Sequence, residues 1–175
     1  GRVKRWFGAW AAAEGYTRPR GEPAYALGDA YLAMGCSPTS FTCAPYLLES
    51  APAFGEQVAW GESNAVIFAN SVLGARTQKY ADYLDICAAL VGRVPAAGPP
   101  LAAHGVATAV LDATAVAEAL AAGCGDAFWP AMGYLVGLKS EARVPVVVGL
   151  AKHRPTMDDL KAFSAAFGTT ALTAL

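Results

Sequence analysis

Val144-Pro145-Val146-Val147-Val148-Gly149-Leu150 is a valine-rich run with Pro145 near its start and Gly149 near its end. A short apolar run bounded in this way predicts a buried strand over residues 144–150. Upstream, Val106-Ala107-Thr108-Ala109-Val110-Leu111 predicts another. Between them, residues 114–122 and 126–138 carry helical patterns, the second broken near Pro130. Downstream, Thr156-Met157-Asp158-Asp159 has the form of a capping box with Asp in place of Glu, and it opens a helix running to Phe167. Residues 169–175 predict a final strand. Strands alternating with helices imply parallel pairing and a layered α/β fold. The sequence stops inside that last strand, which predicts an incomplete domain.

Working back toward the N-terminus, residues 24–34 have helical spacing and stop at Gly35. Residues 37–54 carry three prolines and predict an ordered loop. Glu62 or Ser63 can cap a helix reaching Leu73, with Gly74 as its stop. Residues 80–91 predict a further helix ending at Gly92. The Pro- and Gly-rich stretch 93–105 is the candidate internal loop boundary within a single domain of residues 1–175.

Bulk properties narrow the function. The 175 residues are 55% hydrophobic, enough for one compact core. The formal net charge of -1 argues against a nucleic-acid partner held by phosphate neutralisation. No apolar run reaches the roughly 18–20 residues that span a bilayer, so no membrane association and a cytoplasmic location are expected. The four cysteines, Cys36, Cys43, Cys87 and Cys124, form no CxxC pair. Cys87, in the helical pattern 80–91, reads as core.

Chemistry-bearing residues concentrate between Cys36 and Thr77. Cys43 lies in the Pro-containing loop, whose fixed backbone suits a thiolate ligand; a structural thiol is the alternative. Glu62-Ser63-Asn64 opens a helix, where free N–H groups cap the chain or receive an anion. Asn70 and Ser71 are poor interior helix residues among apolar neighbours. Arg76 can grip a carboxylate bidentately or form a surface ion pair. His153 follows the valine-rich strand, where open parallel sheets collect ligands, although Lys152 and Arg154 beside it suggest a solvated loop.

Taken in order, these strings resemble the catalytic subunit of the aconitase X family. They are Thr42-Cys43-Ala44-Pro45-Tyr46, Glu62-Ser63-Asn64-Ala65-Val66, Ala69-Asn70-Ser71-Val72-Leu73-Gly74-Ala75-Arg76-Thr77, and Gly92-Arg93-Val94-Pro95. Gly133-Tyr134-Leu135-Val136-Gly137 and Asp158-Asp159-Leu160-Lys161 add to them. The resemblance implies a three-layer α/β/α aconitase-like core, here incomplete, and an iron–sulfur-dependent hydro-lyase. It implies Cys43 as the metal ligand, with the remaining cluster ligands outside this chain. It also implies Glu62, Ser63, Asn64, Asn70, Ser71, Arg76 and Thr77 as the substrate-binding set. An open iron would then act as a Lewis acid on a leaving hydroxyl. The expected partners are a small hydroxy-carboxylate substrate and a small swivelling subunit or domain. Among family activities, cis-3-hydroxy-L-proline dehydratase is preferred, with mevalonate 5-phosphate dehydratase next. A non-catalytic fragment or scaffold is the reading from another class.

Overall fold

A computed structural model describes residues 21–37, 44–81, 83–95, 106–141 and 143–171. Two compact units divide the chain, Gly1–Thr42 and Cys43–Leu175.

In the first unit, α1 (Gly21–Ala33) ends as its glycine predicts. Gly35 takes a φ of 94°. Its N–H reaches the Leu32 carbonyl at 3.1 Å, and the Cys36 N–H reaches that of Tyr31 at 3.0 Å. This pair of bonds is a Schellman closure, and the left-handed residue at its centre favours glycine.

The second unit begins, among described residues, with a 3-10 turn at Pro45–Leu47. Helix α2 (Ser63–Phe68) continues into a π turn at Ala69–Leu73. Then follow α3 (Leu84–Val91), β1 (Ala109–Asp112), α4 (Thr114–Ala121), α5 (Phe128–Ser140), β2 (Pro145–Val148) and α6 (Met157–Thr170). The strands pair in parallel, from Ala109 opposite Pro145 to Asp112 opposite Val148. The Thr108 hydroxyl extends the ladder by accepting from the Val144 N–H at 3.0 Å.

The core lies where α5, α6 and α2 meet the sheet: Ile67, Ala113, Ala117, Phe128, Trp129, Met132, Val136 and Phe167. Helices α5 and α6 approach closely through small residues. A methyl added at Gly133 would collide with the Phe163 backbone carbonyl, and one at Gly137 with the Thr170 side chain. Ile67 and Ser63 of α2 meet α6 at Gly168 in the same way. Layers of helix and parallel strand make this an α/β fold, as expected.

Several sequence expectations are corrected. The valine-rich strand is not buried on both faces. Its burial alternates, and Val146 and Val148 are exposed together with Val110 of β1. Pro130 does not break α5, because it falls in the first turn, where N–H groups have no intrahelical acceptor in any case. Helix α3 starts at Leu84 rather than residue 80, because Tyr83 holds a φ of 69°. Cys87 is exposed rather than core. The expected strand over 169–175 is helical through Thr170. Thr169 and Thr170 turn their hydroxyls back onto the carbonyls of Ala166 and Phe167, at 2.7 and 3.3 Å. Residues 172–175 lie outside the described residues.

Candidate functional site

The π turn carries the site. Apolar Ala65, Val66, Phe68 and Ala69 bury the helix, and Gly74 ends it with a φ of 68°. The Gly74 and Ala75 N–H groups both return to the Ala69 carbonyl, Ala75 at 2.9 Å. The chain then runs beside residues 55–58. Gly55 donates to the Gly74 carbonyl at 2.8 Å, Arg76 to Glu56 at 2.8 Å, and Val58 to Arg76 at 3.1 Å. Gln57 and Arg76 form a parallel bridge. The Glu56 carboxylate steadies the turn before it by accepting from the Ala53 N–H at 2.9 Å.

Asn70 and Thr77 are brought together by this return. The Asn70 carboxamide donates through Nδ2 to the Thr77 carbonyl at 3.0 Å and accepts the Thr77 N–H through Oδ1 at 2.9 Å. Thr77 is fully buried, and its Oγ1 accepts from the Trp60 N–H at 3.5 Å and donates to the Gln78 carbonyl at 3.4 Å. Arg76 therefore has both backbone groups bonded to one segment, and its successor is clasped by another. Its side chain is partly buried, yet among the described residues neither a carboxylate nor a carbonyl meets its guanidinium. A partly desolvated cation without a counter-charge is costly, and an anion would relieve that cost.

The other expected site residues are placed differently. Ser63 sits at the start of α2 with its Cβ toward α6. Glu62 is exposed and makes no side-chain cap. Asn64 has a buried Oδ1 with no partner among the described residues. One turn along, Phe68 stacks on Tyr46 with ring centroids 4.2 Å apart. Helical spacing therefore puts Asn64 on the side that faces the segment following Cys43. Ser71 is exposed on the π turn. Cys43 lies outside the described residues. Glu56 and Val58 are partners to which sequence reasoning gave no role. Nothing in the local pattern marks two residues that hold Arg76 through their backbone some twenty positions before it.

Tyr80, 4% exposed, lies just beyond this strip. Burial pushes its phenol above its ordinary value, and the Gln78 side chain pulls the other way without a well-formed bond to the hydroxyl.

A second polar group gathers where β1 and β2 end. The Asp112 carboxylate accepts from the Thr114 N–H at 2.9 Å, and bonds from the Thr114 side chain and backbone hold it below the usual carboxylate range. Lys152 pairs with Glu118 at 2.6 Å and lowers that carboxyl likewise. His153 is not on a solvated loop. Its ring lies 4.7 Å from Phe128, and its Nε2 is buried without a partner among the described residues.

Among the described residues no three His, Cys, Asp or Glu side chains gather. Cys36, Cys87 and Cys124 are free thiols. The described residues therefore hold no ligand set of their own. Among them, too, no helix is long and apolar enough to cross a membrane.

Comparison with known proteins bears on this geometry. A family model described as aconitase X first domain matches residues 8–103, and one described as aconitase X second domain matches residues 107–175. Cis-3-hydroxy-L-proline dehydratase of Pseudomonas aeruginosa is 50% identical over 157 residues, which are 90% of this chain and 26% of that protein. The protein of the same name from Hypocrea jecorina is 50% identical over 168 residues, 96% of this chain and 27% of its own. The phosphomevalonate dehydratase large subunit of Methanocaldococcus jannaschii is 38% identical over 133 residues, 75% of this chain and 32% of its own. The crystal structure of Thermococcus kodakaraensis aconitase X in its holo-form superposes with a TM-score of 0.64 at 33% identity, covering 81% of this chain and 34% of that one. The chain thus spans about a quarter to a third of the relatives it matches. With two successive domain models in register along it and a superposable solved fold, the chain belongs to the aconitase X family and carries part of its α/β architecture.

Proposed function

We propose that this chain forms part of an aconitase X-type dehydratase, a hydro-lyase that removes water from a small hydroxy-carboxylate, with cis-3-hydroxy-L-proline as the substrate. The observation that carries the reading is Arg76, a partly buried guanidinium on a fixed backbone and without a counter-charge among the described residues. Its five N–H donors suit a planar carboxylate, which accepts two of them in parallel. Asn64, whose Oδ1 has no partner among the described residues, is the second group proposed for the ligand. Glu62, Ser63 and Ser71 remain in the proposed substrate-facing set, whereas the amide of Asn70 and the hydroxyl of Thr77 are spent within the protein. The two relatives at 50% identity bear the hydroxyproline name, and this supports the substrate choice.

Dehydration needs a base for the α-proton and help for the departing hydroxyl. In this reading Cys43 would be one ligand of an iron–sulfur cluster that would assist the departing hydroxyl, and the remaining ligands and the base would come from polypeptide outside these 175 residues. The name "large subunit" borne by the Methanocaldococcus jannaschii relative supports a small partner subunit or domain, and the proposed setting is cytoplasmic.

The test follows cis-3-hydroxy-L-proline by proton NMR in the enzyme that carries this sequence. The substrate is expected to be consumed, and Arg76→Ala is expected to raise KM at least tenfold. Faster dehydration of mevalonate 5-phosphate would transfer the reading to the second substrate. Unchanged KM in Arg76→Ala would remove Arg76 from the site.

A further inference from the structure

We propose that Asn70 is a positioning residue, which acts by clamping the backbone beside Arg76 and so presenting its guanidinium, and does not itself touch the ligand. The proposal rests on the reading of Arg76 as the carboxylate-binding group.

Both ends of the Asn70 carboxamide are used. Nδ2 donates to the Thr77 carbonyl at 3.0 Å, and Oδ1 accepts the Thr77 N–H at 2.9 Å. A carboxamide offers two donors and an acceptor, and this pairing copies the way one strand bonds to the next. The clasped residue is fully buried. On the other side, the Arg76 N–H and carbonyl are bonded to Glu56 and Val58. The peptide unit before the Arg76 Cα is thus held by Glu56, and the one after it by Val58 on one side and Asn70 of the π turn on the other. Arginine has long rotamer freedom to lose on binding, so a fixed base removes part of that cost before the ligand arrives. The clasp also accounts for a carboxamide at position 70 of an otherwise buried stretch. An Ala there would leave a buried N–H and carbonyl of Thr77 without partners, and this is costly. A Gln would reach too far for the same two-point geometry.

The experiment is a double-mutant cycle in the enzyme that carries this sequence, read by NMR titration with acetate and with cis-3-hydroxy-L-proline. The order of the Arg76 Nε–Hε group is followed in parallel by its heteronuclear NOE. Asn70→Ala is expected to weaken binding about tenfold when Arg76 is present, to change it less than twofold in an Arg76→Ala background, and to lower the order of Arg76 Nε. Equal weakening in both backgrounds would make Asn70 a ligand contact and overturn the proposal, with the Arg76 reading intact. Unchanged Nε order in Asn70→Ala would overturn it as well. If neither probe binds the wild-type chain, or Arg76→Ala binds as tightly as wild type, the reading beneath the proposal fails. Should Asn70→Ala not fold, Asn70→Asp serves in its place. It keeps the acceptor for the Thr77 N–H and loses the donor, so a smaller loss of the same pattern is expected.

Discussion

At the scale of single residues, Thr77 shows how a motif residue is spent. Its hydroxyl lies between the Trp60 N–H and the Gln78 carbonyl in a fully buried position. Thr77→Val keeps the shape and removes both bonds, so a loss of about 1–3 kcal/mol in chemical denaturation is expected. Tyr80 gives a pH-dependent counterpart. Its phenol is raised by burial, so its stabilising contribution is complete below its ordinary value of 10.0 and disappears as pH rises beyond it. Alkaline unfolding should therefore shift to higher pH in Tyr80→Phe, measured by circular dichroism from pH 9 to about 12. In the sequence, Asn70 was legible as an anomaly, an amide in an apolar helix. Its role was not legible, because the partner is a backbone seven residues on, and only the fold brings the two together.

Among elements, local signals were read well where one short motif decides the outcome. The capping box of α6 is complete. The Thr156 hydroxyl accepts from the Asp159 N–H at 3.2 Å, and the Asp159 carboxylate accepts from the Thr156 N–H at 2.9 Å. Thr156→Ala should cost about 1 kcal/mol. Bonds from Thr156 hold the Asp159 carboxyl below its ordinary 3.8, so this contribution is present above that value and lost as pH falls through the lowered one. The wild-type advantage over Thr156→Ala, measured by thermal unfolding, should accordingly shrink below about pH 4. The misread elements share a cause. Pro130 and Thr169–Thr170 are ambiguous by type, and their meaning depends on position within a helix, which periodicity places only to within a few residues.

For the whole molecule, the α5–α6 contact holds the second unit together through glycines that leave no room for a side chain. Gly133→Ala would force the helices apart, because the obstructing atoms are backbone, and a loss of about 1–3 kcal/mol or more is expected on denaturation. The alternation of Val110, Val146 and Val148 outward leaves an apolar sheet face exposed among the described residues. Parallel sheets are ordinarily covered on both sides. Val146→Lys should leave the unfolding midpoint within about 0.5 kcal/mol of wild type and reduce dye binding to apolar surface. The parallel order was legible from the spacing of strand and helix patterns. The one-sided burial was not, because a valine run reads the same whether one face or both are covered.

The π turn has a genetic consequence. Relative to an α-helix, it holds one residue more than its length requires, so loss of one codon within 69–73 would leave a regular helix. The turn winds its five residues over nearly the rise and rotation that four take in an α-helix, so such a deletion would keep the chain on either side in phase. Gly74, Arg76 and Thr77 would still return beside residues 55–58. A deletion scan of the coding sequence should therefore find loss of exposed Ser71 better tolerated for folding than loss of a codon within a regular helix, whereas loss of Asn70 removes the clasp on Thr77.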